Sequence, residues 1–221
     1  MDFFNVVVRF FQEGGPFMFP ISLVLALGVA IAIERYVFLA NAKRTNKKAF
    51  AEIEPMLSAR QYDSIVRLSE RDGAPVTRVI GAGIARLQLS PRREDVEYAM
   101  EEGLMETIPR LEKRTPYLGT LANIATLLGL LGTIIGLIAA FSAVANADPA
   151  EKASLLSQSI SVAMNTTAFG LISAIPLLAF HAMLQTKTTE IVDSMEMAGV
   201  KCINLLMARK TLSANTRASD E

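Results

Sequence analysis

Among the polar residues inside the long apolar runs of this 221-residue chain are Thr133 in "GLLGTIIGLIAAF", and Asn165, Thr166 and Thr167 in "SISVAMNTTAFGLISAIPLLAFHAML". Polar atoms in hydrocarbon are costly unless something satisfies or uses them. A threonine hydroxyl donates one hydrogen bond and accepts others, and an asparagine amide has more capacity than its own helix can satisfy. Such side chains can line a polar path and hold water or a carboxyl group, but they do not titrate near neutral pH. For any one threonine a simpler reading stands beside this one, in which the hydroxyl bonds the carbonyl one turn back on its own helix.

The missing residues define the chemistry as much as those present. No acidic residue occurs from Lys113 to Ala147, nor from Lys152 to Thr189. If protons cross a membrane here, another polypeptide must supply the carboxylate. His181, the single histidine, falls near the end of its apolar run and suits an interface. Cys202 has no intrachain disulfide partner and reads as structurally indifferent. There is no Gly-rich phosphate loop followed by Lys-Ser/Thr, no Cys/His metal spacing and no nucleophile triad, so neither enzyme activity, cofactor nor metal is expected. The 22 basic residues balance 22 acidic ones, which gives no reason to expect a nucleic-acid partner.

The elements that must position these residues follow from charge and hydropathy. Runs of roughly 18 uncharged residues are candidate membrane spans. Three occur: Phe17 to Ile33, extended past Glu34 and Arg35 by "YVFLA"; Tyr117 to Ala147; and Ala153 to Gln185. Lys43, Arg44, Lys47 and Lys48 follow the first span directly, whereas Arg9 before it is offset by Asp2 and Glu13. The positive-inside rule then puts the N-terminus outside and the long middle segment inside. A cleaved signal peptide ending near "VAIA" is the alternative for the first span, weakened by the upstream acids and the apolar continuation.

The expected fold is an all-α membrane protein with three transmembrane helices, the last two long and extending into a cytoplasmic helical bundle. Its expected divisions are an N-terminal interfacial helix on the periplasmic side (1–15), a first span (16–40), a cytoplasmic helical loop domain (41–116), a second span (117–145), a periplasmic loop (146–154), a third span (155–184) and a cytoplasmic C-terminal helix and tail (185–221). "SARQYDSIVRLSER" has helical spacing. "SPRREDVEYAM" starts a helix with Ser90 as cap and Pro91 first. That helix is expected to run into the second span, kinked at Pro109 and Pro116. The second and third spans, roughly 28 to 30 residues or about 42 to 45 Å as helix, exceed a hydrocarbon core of about 30 Å. They must tilt or protrude. "TLSANTRASDE" reads as a disordered tail.

Small residues mark the helix faces. Thr126, Gly129, Thr133, Gly136 and Ala140 recur at intervals of three and four, as do Ala163, Thr167, Gly170 and Ala174. In lipid such stripes let helices approach closely.

At "GLLGTIIGLIAAF" and "ISVAMNTTAFGLISAIP" the sequence resembles the MotA/TolQ/ExbB proton-channel family, whose core helices carry Gly-Leu-x-Gly-Thr and Thr-Ala-x-Gly-Leu-x-x-Ala-Ile-Pro patterns. Three spans and this length are similar to the TolQ/ExbB branch. The resemblance implies a homopentamer in the bacterial inner membrane around a dimer of a single-span ExbD/TolR-like partner. That partner's membrane aspartate would carry the ion, and a TonB-like or other envelope-spanning protein would receive the work.

By motif match, Thr133 and Thr167 correspond to pore-facing threonines, with Asn165 and Thr166 beside them; Gly129, Gly136 and Gly170 are packing positions and Pro176 a hinge. Two departures stand out. Val162 occupies the position, five residues before the second threonine, where relatives commonly carry glutamate, and Ala125-Thr126 replaces a familiar Ala-Pro. A passive membrane scaffold, in which the small residues merely pack helices, is the alternative function; a self-sufficient channel is disfavoured by the missing carboxylates.

Overall fold

A computed structural model describes residues 10–11, 14–145 and 147–219, with side chains described as far as residue 206. It contains α1 (Met18–Ser58), α2 (Tyr62–Arg71), α3 (Pro75–Leu89), α4 (Arg93–Glu112), α5 (Thr115–Ala145) and α6 (Lys152–Ser219), and no strand among the described residues. Three stretches are long and apolar enough to cross a membrane, and they lie in α1, α5 and α6. The protein is therefore an all-α membrane protein with three spanning helices, the last two long. The interfacial helix expected over residues 1–15 falls largely outside the described residues.

The chain forms two compact units. One, residues 1–35 and 114–184, holds the apolar helices; the other, residues 36–113 and 185–221, holds the charged ones. In the charged unit α3 and α4 pair as a helical hairpin. Val79, Ile80 and Ile84 of α3 and Val96, Met100 and Leu104 of α4 are buried, each a large apolar side chain. Such burial contributes about 1.5–3 kcal/mol per side chain. The first turn of α3 has no side-chain cap of its own. The buried first-turn donor at Val76 is met instead by Asn46 Oδ1 of α1, at 3.0 Å. Cys202 is fully buried in this unit, and burial pushes its thiol up to about 12. At neutral pH it is a small apolar group rather than a nucleophile.

Three expectations change at helix ends. α4 and α5 are not one helix kinked at its prolines. α4 runs through Pro109, and the chain breaks at Lys113–Arg114, where Arg114 takes φ +68°. Pro116 has no N–H for the Glu112 carbonyl, so it is accommodated in the first turn of a new helix. Arg114 Nη1 donates to both carboxylate oxygens of Glu34, at 2.7 and 2.6 Å, which pins the break to α1. α4 itself starts at Arg93 rather than at Pro91, with Ser90 donating to the Asp95 carboxylate instead of capping. Finally, α6 continues to Ser219, so helix covers most of the tail read as disordered. No glycine or proline follows Gly199 to stop it.

Candidate functional site

Within the apolar unit α5 and α6 run antiparallel, and their closest approach is made by backbone. A Cβ on Gly170 would stand 2.8 Å from the Ala125 carbonyl oxygen and 3.0 Å from Gly129 Cα. One on Gly136 would meet the Ala163 methyl at 2.8 Å. Both glycine positions are thus required by space rather than by backbone conformation. Thr133 lies between Gly129 and Gly136 on the same stripe, which sets it level with residues 163–167 of α6.

Thr167 Oγ1 donates across the helix pair to the Gly129 carbonyl at 2.8 Å. In an α-helix that carbonyl also receives the N–H four residues on, which belongs to Thr133. The two threonines therefore meet through one oxygen atom. Thr133 Oγ1 donates to the Leu130 carbonyl at 2.6 Å and is half-buried. Both hydroxyl hydrogens are committed to carbonyls, so each oxygen presents its lone pairs to any further partner.

Thr166 behaves differently. It is buried, and its hydroxyl reaches the carbonyls of Gly14 at 2.7 Å and Val162 at 2.9 Å. A Cβ on Gly132 would meet its methyl at 2.3 Å. Thr166 is thus sealed among α5, α6 and the turn before α1, where Gly15 adopts φ +72°. Asn165 is half-buried, and its amide has no hydrogen-bond partner among the described residues. Pro176 lies inside an unbroken α6, and His181 sits beside Gly119.

The sequence places Thr133 and residues 165–167 each near the middle of its apolar run, and so at one level on facing helices; where α1 begins relative to them was not legible. Because Gly14 touches Thr166, α1 begins level with the threonines. α5 beyond Thr133, and α6 before Asn165, extend past the start of α1 as a hairpin. Two further residues escaped the sequence reading. Gly14 supplies the carbonyl that satisfies Thr166, and "GGP" gave only the signal of a helix break. Ser173 is fully buried with no hydrogen-bond partner for its Oγ among the described residues. A serine on the small-residue face of an apolar run was the available signal. Val162, at the position of the missing glutamate, packs its side chain toward Gly15.

Three apolar helices, two of them joined backbone to backbone through glycines with threonines at the joint, define a multi-pass helical membrane protein. Residues 72–197 match the MotA/TolQ/ExbB proton channel family, and the chain belongs to that family. It is 28% identical over 201 residues to a putative biopolymer transport protein ExbB homolog of Methanothermobacter thermautotrophicus, covering 89% of this chain and 69% of the relative. Biopolymer transport protein exbB1 of Vibrio cholerae is 28% identical over 209 residues, covering 92% and 90%. Tol-Pal system protein TolQ of Pseudomonas aeruginosa is 27% identical over 172 residues, covering 71% and 74%. These relatives support the TolQ/ExbB-like branch.

Proposed function

We propose that this chain is the channel-forming subunit of an ion-driven motor in the inner membrane, assembled as a pentamer around a single-span partner dimer of the ExbD/TolR type. The ion is a proton, carried on the partner's membrane aspartate, and the work is passed to the cell envelope in TonB-dependent, Tol-Pal or gliding-type processes. In this reading the N-terminus is periplasmic, and the charged unit and C-terminus are cytoplasmic. The observation that carries it is the junction of Thr133 and Thr167 through the Gly129 carbonyl, in two spans that contain no carboxylate.

The hydrogen bonds refine how that junction works. With both hydroxyl hydrogens held by carbonyls, the threonine oxygens accept from water or from a protonated carboxylic acid. They offer an ionised carboxylate little. Asn165, with donors free among the described residues, is better suited to the ionised form. Differential binding of the two forms would bias the partner's rotational positions as it loads and releases a proton. Thr166, sealed by Gly14, serves this path only by holding the turn before α1.

Thr133→Val and Thr167→Val should leave oligomer mass unchanged while abolishing proton-motive-force-dependent work in cells carrying the partner. Full activity in both variants would remove the pore assignment. A passive scaffold is the second reading, favoured by the Gly129–Gly170 approach, which small-residue packing explains by itself. It predicts that the valine variants lose oligomer without any ion-dependent activity to lose.

A further inference from the structure

We propose that the charged unit carries a binding site for a phosphate ester, in a cavity of about 330 Å³ bounded by α1, the first turn of α3 and α6. The inference stands apart from the proposed motor function. Among the described residues, every charged one lining the cavity is a lysine: Lys43 and Lys47 from α1, and Lys201 from α6. Lys43 is already held by Glu190 at 2.7 Å. Lys47 and Lys201 have no ion-pair partner among the described residues, and Lys201 stands 6.0 Å from the Phe50 ring centroid.

Between these lysines lies Asn46, which is 5% exposed. Its Oδ1 is taken by the Val76 N–H, and its Nδ2 is buried with no hydrogen-bond partner among the described residues. The remaining hydroxyl, Ser194, donates to the Ile191 carbonyl. The cavity thus offers ammonium and amide donors with little to match them, the complement of an oxyanion. Two ammonium groups and an amide suit the three terminal oxygens of a phosphate better than the two of a carboxylate, and lysine binds phosphate as a point charge.

The other walls are apolar, from Phe50, Val76 and Met197. The volume lies at the lower end of small-molecule sites, which span about 300–1,000 Å³. Free phosphate would leave those apolar walls uncovered, so the occupant is an ester with a compact apolar body. An anionic lipid headgroup and a soluble organic phosphate share this chemistry.

The test is calorimetric titration of the full-length protein in detergent with butyl phosphate, butyrate, and dihexanoyl phosphatidic acid below its micellar concentration. Saturable binding of either phosphate ester is expected, weakened at least tenfold in Lys47→Gln/Lys201→Gln. Both lysines are exposed, and the variant's unfolding curve should be unchanged. A tenfold preference for the phosphatidic acid identifies a lipid headgroup; a smaller preference, or tighter binding of butyl phosphate, identifies a soluble ligand. No saturable binding, binding unaffected by the double substitution, or butyrate bound as tightly as the esters would each overturn the proposal.

Discussion

The helix contacts of the two units differ in kind. In the apolar unit Met18, Ile21, Leu118, Leu177 and Leu184 are buried, but the α5–α6 contact itself runs through the small residues Ala125, Gly129, Gly136, Ala163 and Gly170, while Leu127, Ile134, Ile138, Phe141, Ile172 and Ile175 point outward. In the charged unit Ile53, Ile65, Ile80, Ile84 and Ile191 are buried, and charged side chains cover them. Water drives large apolar groups together. Lipid does not, so helices there associate through close backbone approach and hydrogen bonds. One chain thus makes its helix contacts in two ways, according to the solvent each unit is built for.

The contrast can be broken at chosen residues. Ile80→Ala should have the largest effect, about 2–5 kcal/mol, because it opens a cavity in a core held by large side chains. A detergent unfolding titration followed by circular dichroism would read it, and a loss under 1 kcal/mol would contradict a water-type core. Gly170→Ala adds a single methyl, yet should cost about 1–3 kcal/mol by the same measurement. Its Cβ would meet backbone that cannot yield without moving a helix. Gly73→Ala is the control, with nothing within 4 Å of its Cβ, and if both substitutions behave alike the backbone contact is not limiting.

Thr167→Val should reduce stability by only about 1 kcal/mol, the net worth of one hydrogen bond. A loss comparable to that of Ile80→Ala would mean that the hydroxyl, rather than glycine contact, holds α5 to α6. The smallest effect belongs to the exposed Lys43–Glu190 pair. The Lys43 ammonium holds the Glu190 carboxyl below its ordinary range. Its stabilisation is therefore present above the ordinary glutamate value and is lost as pH falls through the lowered one. Glu190→Gln should flatten the acid limb of the stability profile slightly and leave neutral pH almost unchanged.

The three spans, the helix within "SARQYDSIVRLSER" and the small-residue stripes were legible in sequence because periodicity and charge report them directly, although Arg60, at φ +58°, breaks the chain before α2 begins at Tyr62. Arg114 was not, since nothing local announces a left-handed residue between two prolines that each permit helix. The shared mid-depth of Thr133 and Thr167 could be read from the midpoints of their apolar runs, but only contact with Gly14 shows where α1 starts beside them. Residue type revealed that Thr133 and Thr167 had chemistry to offer. It did not reveal that their hydrogens were already spoken for, which depends on a carbonyl thirty-eight residues away from Thr167.

The Gly129–Gly170 contact has a mechanical consequence. A joint made of side chains can adapt by changing rotamers, but one made of main chain has none to change. The α5–α6 pair therefore behaves as a stiff strut of fixed thickness, and any motion the protein performs must pass around it as a rigid displacement.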